Sequence, residues 1–360
     1  MQPQVLVHSA RRLLGRGATD SGLESTAEAG LRSTSPDALF ERARKRVEAA
    51  RPEGDISGAH ARLAEAYLAE GHKALRKVAE KPDAPDLSHT ESAGLEAIVR
   101  LTGRPSFLVQ NDSVTVEQPD PEWSQKIRDQ AADITKVLRR VGRVNLPEYG
   151  GGYVGTAFMV AEDLAMTNRH VAMTFAARAG AAWKVGAGFT PSVDFKCEQG
   201  SGNTLRFEVK GIAVIHPDPQ IDLALLKLDK KSKDKKPLPA PLKIAKSATS
   251  IAPKDDLYVV GYPAFDPRND ASAVDRIFGH VFMVKRFAPG ELMSAAGAKK
   301  HFTHDCSTLG GNSGSCVIDF NRHVVFGLHF GGAYLAENRA VALAKLQKDP
   351  SLKGKGLVFD

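Results

Sequence analysis

Gly155-Thr-Ala-Phe-Met-Val-Ala-Glu-Asp-Leu-Ala-Met-Thr-Asn-Arg-His-Val171 carries the strongest fold signal in the chain. Two short apolar runs flank a tight turn at Glu162-Asp163, and His170 falls just past the second run. The same grammar continues downstream. Val154–Val160, Phe207–Val214, Leu223–Leu228, Leu257–Val260, Arg276–Val284, Cys316–Ile318 and Val324–His329 are rich in Val, Ile, Phe and Thr, and Gly, Pro and Asp turns separate them. Many short strands between turn signals predict an all-β sandwich or barrel from about residue 141 onward.

Two further segments belong with the first. Ile221-Asp-Leu-Ala-Leu-Leu-Lys-Leu228 places Asp222 at the mouth of an apolar strand, and Cys306-Ser-Thr-Leu-Gly-Gly-Asn-Ser-Gly-Ser315 is a glycine-rich loop with Ser313 at its centre. A serine hydroxyl is a poor nucleophile until a base removes its proton. A neutral imidazole can do so near pH 7, and a carboxylate fixes its tautomer and steadies the imidazolium. Glycines beside the serine let backbone amides turn toward one point, as an oxyanion requires. Each piece alone has a plain reading: a histidine after a strand, an aspartate in a turn, a tight Gly-Asn-Ser-Gly bend. Their order along the chain, His then Asp then Ser, is what joins them.

Residues from about 141 to 350 resemble trypsin-like peptidases, in particular the branch containing bacterial glutamyl endopeptidases. The resemblance rests on Gly-Thr-Ala-Phe, Thr-Asn-Arg-His-Val, Asp-Leu-Ala-Leu-Leu, Gly261-Tyr-Pro263, Gly-Gly-Asn-Ser-Gly-Ser and Phe326-Gly-Leu-His-Phe-Gly-Gly332. It implies a mainly β chain with two six-stranded antiparallel barrels and the active site in the cleft between them. His170 and Asp222 would come from the first barrel and Ser313 from the second. The amides of Gly311 and Ser313 would form the oxyanion hole. Asn312 stands where digestive trypsins carry an aspartate, and Val171 where they carry a cysteine. A neutral amide cannot pair with a freed N-terminus, so control would lie elsewhere.

The resemblance also addresses specificity. Ser307 occupies the position that an aspartate holds in enzymes cutting after Lys or Arg. Thr308 and His329 match the threonine and histidine that bind the substrate carboxylate in glutamyl-specific relatives, and Gly331 and Gly332 complete the pocket wall. A hydroxyl and an imidazole converging on an anion make chemical sense. The expectation is therefore Glu, with Asp second, before the scissile bond; the competing reading is a satisfied strand histidine at 329 and a pocket for small side chains. His280, His301, His304 and His323 read as surface or core residues. No cofactor is implied, and no His/Cys cluster has metal-ligand spacing.

The front of the chain differs. Ser35, Pro36 and Asp37 give a helix start, followed by helical stripes over about 36–47, 60–80 and 91–101. A hairpin is expected around Asn111-Asp112-Ser113, and an amphipathic helix over 121–140 with Trp123, Ile127, Ile134 and Leu138 on its core face. Residues 1–34 look loose. These features divide the chain into a helical accessory region, 1–118, and a peptidase domain, 119–360. A helical front is most simply a docking site for a regulatory protein partner, the alternative being extra core packed on the barrel. Bacterial defence-associated trypsin-like peptidases have similar architectures.

Bulk properties narrow the rest. The chain has 360 residues, and its 49 Lys and Arg against 42 Asp and Glu give a net charge of +7. The densest cluster, Lys230 to Lys236, reads as a solvated loop, so nucleic acid is not favoured as a partner. No segment has the length of a membrane span. Three cysteines without a secretory signal fit a soluble, cytoplasmic protein with free thiols. The partner expected at the site is a protein or peptide substrate. A non-catalytic scaffold on the same fold is the competing function.

Overall fold

The computed structural model describes residues 6–7, 10–11, 14, 35–49, 59–82, 85–102, 105–116, 123–264, 281–296, 300–332 and 338–360. The chain divides into two compact units. The first is built on residues 1–105, and the second holds Ser106–Phe265, Phe282–Ala333 and Glu337–Asp360.

In the first unit, α1 (Pro36–Ala49), α2 (Ala59–Glu80) and α3 (His89–Thr102) follow the expected stripes. Leu39, Leu68, Leu75, Val78, Leu95 and Ile98 are buried together with Leu6, Ala10 and Leu14. Gly71 and Gly94 let α2 and α3 touch backbone to backbone, since a Cβ on Gly71 would lie 2.3 Å from the Gly94 carbonyl oxygen. Ser88 caps α3: its hydroxyl accepts from the Glu91 amide, and the Glu91 carboxylate accepts from the Ser88 amide, a reciprocal capping box.

The second unit contains two closed barrels. The first barrel consists of β3 (Val141–Asn145), β4 (Tyr153–Met159), β5 (Leu164–Thr167), β8 (Ser192–Asp194), β9 (Arg206–Ile215) and β10 (Ala224–Leu228), in the order β10-β5-β4-β3-β8-β9. A small hairpin, β6 (Ala176–Ala179) with β7 (Ala182–Val185), follows His170. The second barrel consists of β11 (Asp256–Gly261), β12 (Arg286–Ser294), β13 (His301–His304), β14 (Cys316–Asp319), β15 (Val325–Gly332) and β16 (Asn338–Ala342), and pairing of β11 with β12 closes it. This is the chymotrypsin-like double barrel expected from the sequence. Closure removes the free strand edges that an open sheet would expose.

The expected hairpin forms as β1 (Phe107–Gln110) and β2 (Ser113–Thr115), with Asn111 and Asp112 both at positive φ, as a tight primed turn requires. Phe107 pairs with Phe287 on β12, so this hairpin extends the second barrel's sheet and the barrel unit begins at Ser106. The stripe at 121–140 forms two helices, α4 (Ser124–Asp129) and α5 (Ala131–Leu138), separated at Gln130. Of the strand expected at Arg276–Val284, residues 276–280 lie outside the described residues and 281–284 belong to no strand; the strand runs from Arg286 instead.

Trp123, Ile127, Ile134 and Leu138 pack with residues of both barrels, among them Val141, Phe158, Tyr258, Phe287 and Phe320. Each large side chain buried this way is worth about 1.5–3 kcal/mol. Lys285 is fully buried within this region. Its ammonium donates to the carbonyls of Leu138 and Phe195 at 2.8 and 2.7 Å and lies 3.3 Å from Glu198. Cys197, Cys306 and Cys316 are free. Burial raises the Cys197 thiol to about 11 and Cys316 to about 12, which keeps both in the unreactive thiol form. Among the described residues, no helix is long and apolar enough to cross a membrane.

Candidate active site

β5 ends at Thr167, and the chain turns at once into a one-turn helix, α6 (Arg169–Met173), that carries His170. Asn168 anchors the turn by donating its side-chain amide to the Asp222 carbonyl at 2.9 Å. Asp222 precedes β10 in a three-residue turn closed by the Leu223 amide on the Ile221 carbonyl, 2.8 Å, and so points back at α6. Its carboxylate holds His170 at two points. One oxygen accepts from the His170 backbone amide at 2.9 Å, and the other lies 2.6 Å from Nδ1. A carboxylate can only accept, so Nδ1 carries a proton, and the tautomer this selects for a neutral ring has its lone pair on Nε2.

The loop from Cys306 to Cys316 is shaped by its glycines. Gly311 and Gly314 have φ of +84° and +91°, a region open to glycine and strained for other residues. Asn312 is buried, and its Oδ1 accepts from the Ser315 hydroxyl at 3.4 Å. The Gly310 carbonyl accepts from the Ala264 amide. In a trans peptide the carbonyl and the following N–H point in opposite directions, so this bond turns the Gly311 N–H to the other side. Among the described residues, neither the Gly311 nor the Ser313 amide has a hydrogen-bond acceptor, which leaves both able to serve an oxyanion.

Thr156 on β4 joins loop to barrel. Its amide donates to the Ser313 carbonyl at 2.8 Å, its hydroxyl donates to the Gly311 carbonyl at 3.0 Å and accepts from the Tyr262 amide at 3.2 Å, and its carbonyl accepts from Thr167 at 2.7 Å. Gly155 marks how close the parts lie. A Cβ there would be 2.8 Å from both the Ser313 carbonyl oxygen and Val171, the residue after His170. The His170–Asp222 pair and the Ser313 loop therefore meet across Gly155. The Ser313 hydroxyl itself makes no hydrogen bond among the described residues; in substrate-free active sites such bonds are often long or poorly aligned.

Of the residues expected to set specificity, Ser307 and Thr308 lie in the loop, and His329, Gly331 and Gly332 lie on β15. Ser307 is buried and Thr308 half-buried. The Thr308 hydroxyl donates to Asn338 Oδ1 at 2.7 Å, and Asn338 Nδ2 donates to the Cys306 carbonyl at 2.7 Å. His329 on β15 brackets the serine turn: its amide donates to the Ser315 carbonyl and its carbonyl accepts from the Gly314 amide. His329 Nδ1 lies 3.3 Å from His304 Nε2, and both rings are buried. Burial holds His304 near 3, and burial with His304 and His170 nearby holds His329 well below the ordinary range, so both are neutral. Gly331 and Gly332 end β15 across a bulge from His329. Among the described residues, no group of three His, Cys, Asp or Glu could hold a metal ion. Sequence reasoning did not single out Thr156, Asn168, His304 or Asn338 as site residues. The only signal for Thr156 was its place in the Gly-Thr-Ala-Phe motif.

The pair of closed barrels is a chymotrypsin-like fold, and residues 155–328 match the family model of the trypsin-like peptidase domain. Among solved structures, the inactive form of the Rv3671c protease aligns with 67% of this chain and 99% of its own, at 19% identity and a TM-score of 0.41. No curated protein matches the chain.

Proposed function

We propose that this chain is a serine endopeptidase. His170 Nε2 takes the proton of Ser313 as its Oγ attacks the scissile carbonyl, and Asp222 holds the imidazolium that forms. The amides of Gly311 and Ser313 receive the oxyanion. His170 then passes the proton to the leaving amine, and water hydrolyses the acyl-enzyme. The observation that carries this reading is the two-point grip of Asp222 on His170, next to a serine loop pinned to β4. The S1 pocket is assigned to Ser307, Thr308, His329, Gly331 and Gly332, and takes a P1 side chain ending in a planar oxygen-bearing group, with Glu the expectation from the resemblance. Reaction with a fluorophosphonate probe tests the mechanism. Labelling should fall on Ser313 and vanish in Ser313→Ala; an unlabelled wild-type chain removes it.

The competing reading, a non-catalytic scaffold, draws on the absence of a His170–Ser313 hydrogen bond among the described residues. Turnover of any peptide substrate excludes it. For the helices of residues 1–105 we propose a regulatory partner site. A chain starting at Ser106 should keep its basal peptidase activity and lose partner control; unchanged regulation would remove that role.

A further inference from the structure

The amide of Asn338 can stand only one way round. Its Nδ2 lies 2.7 Å from the Cys306 carbonyl oxygen. Turning the amide over would set two acceptors against each other with no hydrogen between them. Oδ1 therefore faces Thr308, and an O···O contact of 2.7 Å needs a hydrogen that only the Thr308 hydroxyl can supply. The hydroxyl proton of Thr308 is committed to Asn338, and what Thr308 can offer a ligand is the lone pairs of Oγ1.

The histidine side of the pocket has the opposite sense. Nδ1 of His304 is buried and has no partner among the described residues. A buried N–H without an acceptor is the rarer and costlier orphan, so His304 carries its proton on Nε2 and donates it to His329 Nδ1. The proton of His329 then sits on Nε2. On the S1 assignment above, His329 then contributes one N–H donor and Thr308 one hydroxyl acceptor. Neither histidine is charged, so neither supplies a positive charge to neutralise a carboxylate.

We infer that Asn338 is a specificity-determining residue, and that the S1 pocket is complementary to the carboxamide of a P1 glutamine rather than to the carboxylate of glutamate. The carboxamide oxygen accepts from His329 Nε2, and its NH2 group donates to Thr308 Oγ1. A carboxylate has no hydrogen for Thr308, and burying it beside two neutral rings is costly. The inference rests on the endopeptidase reading and its S1 assignment, and departs from the resemblance only in the charge of the P1 side chain.

The test is kcat/KM of the full chain on matched peptides that differ only in Gln or Glu at P1. At neutral pH the Gln peptide should be cut faster by about tenfold or more, since a site built around hydrogen bonds discriminates strongly between partners of the wrong sense. Asn338→Ala frees the Thr308 hydroxyl to donate, and should move the Gln/Glu ratio toward Glu by about tenfold. Thr308→Val removes the acceptor and should bring the ratio close to one. Lowering the pH of the wild-type reaction toward about 4.3, where a free glutamate side chain protonates, should narrow the ratio, because the acid form has the missing hydrogen; a ratio cancels any effect of pH common to both peptides. The pH series needs no variant to fold. Equal rates, or faster cleavage after Glu at neutral pH by a chain that labels at Ser313, overturn the inference and leave the peptidase standing. A chain that neither labels nor cuts either peptide overturns both.

Discussion

The Asp222 carboxylate binds His170 through backbone and ring at once, 2.9 Å to the amide and 2.6 Å to Nδ1. The backbone bond fixes the carboxylate, and the carboxylate fixes the tautomer. Asp222→Asn keeps the volume and removes the acceptor that Nδ1–H needs, so it allows the wrong tautomer. The expected loss in kcat is on the order of 10⁴-fold, with little change in KM or melting temperature. A loss confined to KM would mean that Asp222 serves binding instead.

Gly311 is the next test, because its conformation and its surroundings both exclude a side chain. Its φ is +84°, and a Cβ would come within 2.5 Å of the Tyr262 carbonyl oxygen and 2.8 Å of the Tyr153 hydroxyl. Gly311→Ala should displace the 310–311 peptide and with it the amide proposed to meet the oxyanion. Loss of one such donor costs about 10²–10³ in kcat. Burst labelling at Ser313 should slow in proportion, while far-UV circular dichroism of the barrels stays the same.

How much of this was legible in the sequence depends on the range of the interaction. His170, Asp222 and Ser313 stood out because each sits in a local motif whose spelling reflects its own turn. The helices at 36–49, 59–80 and 89–102 were readable from periodicity, the first also from its Ser35-Pro36-Asp37 start. β12 was not. Pro289 and Gly290 inside it argue against a strand, yet Gly290 is required there, since a Cβ would lie 2.7 Å from the Asp305 carboxylate and the Cys306 amide. Asn338 was invisible for the same reason: its role depends on Cys306 and Thr308, which only the closed barrel brings to it. Sequence spacing reports turns and stripes, and contacts between distant strands leave no such trace.

Lys285 is another residue whose importance comes from distant partners. Its ammonium ties the end of α5, the Phe195–Glu198 segment of the first barrel and β12 together, and the Asp112 amide of the β1–β2 hairpin binds the other Glu198 oxygen at 2.9 Å. Lys285→Met leaves Glu198 as a buried charge without its partner. Urea unfolding should register a loss of about 3–5 kcal/mol. Adding Glu198→Gln should return part of that loss, because the uncompensated charge is then gone. If the double variant is no more stable than the single one, the charge pair is not what holds this junction.

Acid should unfold this protein through the His304–His329 pair. Burial lowers His304 from 6.5 to about 3, and His329 shifts in the same direction. Between those values the unfolded chain binds protons that the folded chain refuses, so stability rises with pH across the window and falls as pH drops from about 6.5 toward 3. The melting temperature should be flat near neutrality and decline below pH 6. His304→Phe fills the site with a ring that cannot take a proton, so its decline should be shallower than that of the wild-type chain, even though its melting temperature at neutral pH is lower from the lost bond to His329. Parallel acid curves for the two proteins would place the acid-sensitive groups elsewhere.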